Sequence, residues 1–259
     1  MVHAISFCDC MELSTEAVIF QYEIESIYCG SYFCDRYFLN LPRTHWENIA
    51  SLAKQNKSKI VLVVPIPGQS LLNEVKLRVQ ELINQYPIAE IVINDYSLFE
   101  WLYNQNILQK LWCGRLLSKD IRDPRYSLSP TQIKLHTRAS QESVLGFQVY
   151  GVEADLTEPV ASICNLQNCH LAIHTPLAYL TTGRICEFAS IGTELCHKFR
   201  PGMKCQLQCV SNYITYHRNN VEFFKLGRAV YAKSAEIPEE WKNLPIRLIH
   251  TLLNRRLLK

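Results

Sequence analysis

Apolar positions along the chain fall into two alternating rhythms. "AVIFQYEIESIYCG" (residues 17–30) alternates with period two and reads as a strand ending at Gly30. In "LPRTHWENIASLAKQNK" (41–57), Trp46, Ile49, Ala50 and Ala53 recur at helical spacing. Thr44 with Glu47 predicts a capping box there, satisfying N–H groups that the first turn leaves open. "KIVLVVPI" (59–66) is nearly continuous and β-branched, as in a strand covered on both faces. "SLLNEVKLRVQELINQYP" (70–87) predicts a helix with Leu72, Val75, Val79, Leu82, Ile83 and Tyr86 on one stripe, stopped by Pro87. "AEIVINDY" (89–96) is the next strand, Ser97 and Glu100 predict a second capping box before "LFEWLYNQN", and "QKLWCGRLL" (109–117) is a short strand.

Strand–helix–strand–helix in this order implies parallel strands joined by helical crossovers. At 259 residues a TIM-like α/β barrel, complete or partly open, fits best, with a doubly wound open sheet as the runner-up. No glycine-rich phosphate loop follows a strand, which weighs against a dinucleotide fold.

After residue 120 the rhythm changes. Residues 120–143 are polar and turn-rich, read as a long loop with a short helix. "VLGFQVYGVEADL" (144–156) restores a strand, with Glu153 and Asp155 on one face. "CHLAIHTPLAYL" (169–180) reads as another strand, and "NYITYHRNNVEFFKLGRAVYAKS" (212–234) as a β-hairpin near the C-terminus, turning at Asn219-Asn220. "NLPIRLIHTLLNRRLLK" (243–259) is a strand or helix with a basic tail. With no repeat and no low-complexity linker, a single domain over 1–259 is expected.

Composition narrows the function classes. The net charge of +3 is too mild for the field of a dedicated nucleic-acid binder. The N-terminal stretch carries acidic residues and no long apolar run, so neither a signal peptide nor a membrane span is expected there, and a cytoplasmic protein is the reading. Eleven cysteines cannot all pair within one chain, and a reducing compartment disfavours disulfides. Isolated ones such as Cys164 and Cys169 read as small buried hydrophobes.

The segment 181–209, "TTGRICEFASIGTELCHKFRPGMKCQLQC", is different. Cys186, Cys196, Cys205 and Cys209 lie among Lys, Arg, Glu and Gln, where inert buried thiols are unexpected. Cys205 and Cys209 can reach one centre from a single turn, Cys186 can fold back through "FRPG", and Cys196 sits midway. A fourth ligand can come from elsewhere in the fold. Zinc sites favour paired Cys-x-x-Cys knuckles, so this uneven spacing suits an iron–sulfur cluster better, with zinc as the alternative.

Two segments carry a family resemblance. "ESIYCGSYFCDRYF" (25–38) resembles a strand-end motif of the collagenase-like peptidase family (peptidase family U thirty-two), and is most similar to its small UbiV-like branch. "HTPLAYLTTGRIC" (174–186) and "KCQLQC" (204–209) resemble that branch's later cysteine motifs, and "AEIVINDYSLFEWL" resembles its strand-plus-helix segment. The similarity spans roughly residues 24 to 250. The loop between Cys186 and Cys205 is longer than the family's, "LTTGR" replaces a shorter stretch, and Cys196 has no counterpart.

The resemblance implies a barrel-like α/β fold with a [4Fe–4S] cluster held by Cys34, Cys186, Cys205 and Cys209. It also implies a role in oxygen-independent hydroxylation of ubiquinone precursors, as one subunit of a heterodimer with a homologous member. RNA-base modification, a peptidase activity and a non-catalytic partner subunit are the alternatives it leaves. Hydrolysis finds no H-E-x-x-H and no G-x-S-x-G in the chain. A small-molecule substrate is expected ahead of RNA, for which "RDPRY" and "LLNRRLLK" are the candidate phosphate contacts. Asn94, Asp95, Arg115, Glu153, Asp155 and His174 are candidate substrate-facing groups, because barrel enzymes gather their chemistry at strand ends. Each has a structural alternative: Asp95 at a helix N-terminus, Arg115 paired with an acid across the barrel, His174 as a core histidine.

Overall fold

The computed structural model describes residues 1–9, 23–118, 149–156, 170–200, 202–210, 212–237 and 239–251. Eight short apolar strands pair in parallel and close into a barrel. They are β1 (Val2–Ser6), β2 (Ile24–Gly30), β3 (Lys59–Val64), β4 (Ile88–Ile93), β5 (Lys110–Cys113), β6 (Gly151–Asp155), β7 (His170–Thr175) and β12 (Ile246–Thr251), with β1 paired to both β2 and β12. The sheet is therefore closed, as the strand–helix rhythm suggested, and no edge is left in it. Among the described residues no helix is long and apolar enough to cross a membrane.

Between the strands run α1 (Asp35–Asn40), α2 (Arg43–Asn56), α3 (Leu72–Gln85) and α4 (Tyr96–Asn104). The stripes predicted from spacing are the buried faces: Trp46, Ile49 and Ala53 on α2, and Val75, Val79 and Leu82 on α3. They pack on outward-facing strand residues such as Ile60, Leu62, Ile91 and Ile93 in one continuous core. Neither predicted capping box forms. Pro42, with φ preset at -69°, starts α2 early, so Thr44 falls inside the helix and Glu47 pairs with Arg43 at 2.8 Å. Asp95 caps α4, its Oδ1 accepting from the Ser97 and Leu98 N–H groups, which puts Ser97 inside the first turn.

The run 169–180 is two strands, not one. The chain breaks at a cis Thr175–Pro176 bond, with β7 in the barrel and β8 (Leu177–Thr182) in a second sheet. Proline has no N–H to give a ladder, so the change of sheet falls at the residue that cannot propagate one. β8 pairs antiparallel with β11 (Ala229–Lys233), then β10 (Val221–Leu226) and β9 (Ile214–Arg218) follow, with Asn219 and Asn220 at positive φ between the last two. The predicted hairpin region is therefore part of a four-stranded sheet inserted before the last barrel strand, and β12 closes the barrel after it.

That sheet covers the C-terminal mouth of the barrel. Tyr179, Phe224, Leu226, Ala229 and Tyr231 share one buried cluster with the barrel-interior residues Ala4, Tyr28, Val61, Val63 and Trp112 and with Tyr32 and Phe33 beyond β2. Phe33 stacks on Tyr179 with centroids 4.3 Å apart. Cys164, Cys169, the predicted loop 120–143, "RDPRY" and the basic tail lie outside the described residues.

Candidate metal centre

Cys34 owes its position to the end of β2. Gly30 turns the chain at φ +115°, in a place where a Cβ would meet the Val63 carbonyl. Ser31 then accepts the Cys34 N–H at 3.0 Å, and Cys34 caps α1, its Sγ accepting from the Tyr37 N–H at 3.4 Å. The other three thiols come from the segment between β8 and β9. Cys205 Sγ accepts from the Leu207 N–H at 3.5 Å. Burial raises the Cys205 thiol pKa, and the neighbouring Cys209 and Cys186 push it the same way. Cys34 and Cys209 sit in one buried cluster with Cys186 packed against it. Cys34, Cys186 and Cys205 all line a cleft of about 620 Å³ at the barrel rim.

The four sequence-predicted ligands therefore converge, from positions up to 175 residues apart in the chain. Among the described residues, the group of three or more ligand atoms lying within 4.8 Å of one another is Glu194, Cys196 and His197, not any trio of these cysteines. A tetrahedral zinc with Zn–S of about 2.3 Å needs its sulfurs roughly 3.8 Å apart, whereas the corners of a cubane stand farther out.

Positive charge and burial oppose one another at these thiols. Arg228 Nη1 lies 3.9 Å from Cys34 Sγ, and Arg36, Arg184 and Arg200 line the same cleft. Cys34 is pushed up to about 12 by burial, against the pull of Arg228. Cys196 does not join this group; it is exposed on the turn of residues 195–197.

The strand-end polar residues divide. Asn94 is buried and structural: its Nδ2 donates to the Val64 carbonyl at 3.1 Å, and its Oδ1 accepts from the Leu116 N–H at 3.2 Å. Asp95 is the α4 cap. Arg115, Glu153, Asp155 and His174 do come together, inside the covered mouth. Arg115 forms a buried ion pair with Asp155, ringed by Tyr32, Phe33, Tyr179 and Tyr231 at 5.4 to 6.0 Å from its guanidinium. His174 Nε2 lies 3.3 Å from Glu153, and the Tyr32 hydroxyl 3.2 Å from the same carboxyl group. Burial pushes Glu153 up to about 8, opposed by Arg115.

Sequence reasoning missed three groups. Asp9, just beyond β1, accepts from the Ser31 hydroxyl and the Tyr32 N–H, and burial raises it to about 6. Glu90 and Arg247 form a second buried pair, joined by the Trp112 Nε1–H to Glu90 at 2.8 Å and by Arg247 to the Tyr28 hydroxyl at 3.0 Å. The available signal was a lone charge inside an apolar strand, in "AEIVI" and in "PIRLI", since a buried charge requires a partner.

Fold and site together define a closed α/β barrel whose mouth is capped by an inserted sheet, with a cysteine-lined cleft at its rim. Comparison with protein-family models, with curated proteins and with solved structures finds no match.

Proposed function

We propose that Cys34, Cys186, Cys205 and Cys209 hold a [4Fe–4S] cluster, and that the protein serves an oxygen-independent hydroxylation of the ubiquinone-precursor type. The observation that carries the cluster is the convergence of these four thiols beside an open cleft, with no three of their sulfurs within 4.8 Å of one another. Two backbone N–H groups aimed at the Cys34 and Cys205 sulfurs, and the arginines of the cleft, act against the burial that raises these thiols. A cluster with four cysteine ligands supplies electron transfer or structural support.

Two features of the fold support a location for this reaction at the barrel rim. The barrel mouth, where such folds usually work, is filled by Arg115, Asp155 and four aromatic rings. The cleft is offset to the rim, where Cys34 and Cys186 meet Gly68, Gln69 and Ser70 ahead of α3. A small-molecule substrate bound there would lie against the cluster. The hydroxylation chemistry and the homologous partner subunit rest on the family resemblance of "ESIYCGSYFC" and "HTPLAYLTTGRIC".

Two measurements test this reading. Anaerobically purified protein should contain about four irons and four sulfides per chain, whereas stoichiometric zinc would contradict it. Cells lacking the protein and grown without oxygen should accumulate an under-hydroxylated quinone precursor. Unchanged quinone content alongside an intact cluster would leave the cluster and remove the hydroxylation.

A further inference from the structure

Cys196 plays no part in the cluster, yet it is not an isolated thiol. Glu194, Cys196 and His197 are all exposed, and one carboxylate oxygen, the Cys196 Sγ and one His197 ring nitrogen lie within 4.8 Å of one another. We propose that these three residues form a second metal site, for a single zinc-class divalent cation with water in its fourth position.

Three observations support it. The first is the donor set. Thiolate, imidazole and carboxylate suit borderline ions such as zinc and do not suit calcium or magnesium, which take oxygen cages. Three protein ligands with one exchangeable position is a recurring zinc arrangement. The second is distance. Cys196 Sγ already lies 3.8 Å from Glu194 Oε2, its S–H donating to that oxygen. Ligands at about 2.0 to 2.3 Å from a tetrahedral ion stand roughly 3.5 Å apart, so small rotations of exposed side chains close the site.

The third is the hydrogen bonding of the backbone beneath. The His197 N–H donates to the Glu194 carbonyl at 2.9 Å, closing the turn that presents all three ligands. Arg200 Nη2 holds the Cys196 carbonyl at 2.7 Å. At the base of the loop, buried Ser190 accepts the Phe199 N–H at 3.0 Å and donates to the Cys186 carbonyl at 3.4 Å. The metal turn therefore hangs from a residue bonded to a proposed cluster ligand. Binding displaces one proton, from the Cys196 thiol to solvent, and involves no change of oxidation state.

The site needs no cluster to form, so its test separates the two. Protein purified anaerobically is dialysed against low-micromolar zinc, and zinc and iron are counted for wild type, Cys196→Ser, His197→Gln and Cys205→Ala. The expected result is about one zinc per chain in wild type, weakened at least roughly tenfold in Cys196→Ser and His197→Gln, with iron unchanged. Cys205→Ala should keep that zinc. Bound zinc should also shield Cys196 from iodoacetamide, and a chelator should restore labelling. Wild type that takes up no zinc, or zinc uptake equal in Cys196→Ser and His197→Gln, overturns the site. Zinc lost only in Cys205→Ala overturns it too, and assigns the ion to the four-cysteine centre instead.

Discussion

Arg228 ties Cys34 to the segment that carries the other three thiols. Its Nη1 lies 2.9 Å from Asp35 Oδ1 and 3.9 Å from Cys34 Sγ, while its Nε donates to the Gly183 carbonyl at 2.9 Å. The Arg228 carbonyl accepts in turn from the Gly183 N–H and the Thr182 hydroxyl. One side chain thus joins the end of β2 to the chain three residues before Cys186. Asp35 is held on its other oxygen by the Gly68 N–H at 2.8 Å, so the clasp reaches the far wall of the cleft.

Arg228→Ala should therefore load a cluster that is lost several-fold faster in air, read as decay of visible absorption. Arg228→Lys keeps the charge but not the fork, and should fall between Ala and wild type. Equal decay rates in all three would mean that the clasp does not support the centre.

Asp155 connects the barrel to the capping sheet, because it pairs with Arg115 and also accepts from the Tyr179 N–H of β8 at 2.9 Å. Asp155→Ala leaves Arg115 buried without its counter-charge, and should cost about 3–5 kcal/mol in urea unfolding. The double variant Asp155→Leu with Arg115→Met should recover much of that loss, since no charge is then stranded.

Much of this fold was readable from spacing. Trp46, Ile49 and Ala53, or Val75, Val79 and Leu82, repeat at 3.6 residues because the barrel presents each helix with one apolar wall. The change of sheet at Pro176 was not readable, because Ala172, Ile173, Leu177 and Ala178 are apolar on both sides of the break. The helix starts were misjudged because Pro42 and Asp95 begin their helices two residues before the Thr and Ser that spacing favoured. Of the centre, the later cysteines stood out by density and polarity of neighbours. Cys34 did not: it lies 152 residues before Cys186, and only a resemblance named it. The crossing of Arg228 to Cys34 is a tertiary contact with no local signal.

Glu153 gives a pH dependence with a definite sign. Its ordinary pKa is 4.5, and burial raises it to about 8 in the folded chain. The folded chain therefore keeps a proton that the unfolded chain has released, so this contribution is complete below pH 4.5 and is lost as pH rises through 8. Stability should fall by up to roughly 1.4 kcal/mol per pH unit for that one proton between pH 6.5 and 7.5. Asp9, raised to about 6, acts in the same direction at lower pH. Subtracting the Glu153→Gln profile of urea midpoints from the wild-type profile isolates the effect. Parallel profiles would mean that Glu153 is ionised in the fold.

Gly30→Ala should be severely destabilising, since the backbone there is left-handed and an added methyl group meets the Val63 carbonyl. Because the Ser31–Cys34 turn follows directly, any folded fraction should also bind less iron. A variant with wild-type melting temperature and iron content would contradict this placement of the turn.

The central claim is the four-cysteine centre, and single Cys→Ala variants at 34, 186, 205, 209 and 196 test it most directly. Each is purified anaerobically, with iron, sulfide and the visible spectrum recorded. The account predicts broad visible absorption and about four irons per chain in wild type and Cys196→Ala, and strong loss of both in the other four. Iron unaffected by Cys34→Ala, or lost equally in Cys196→Ala, would contradict the assignment.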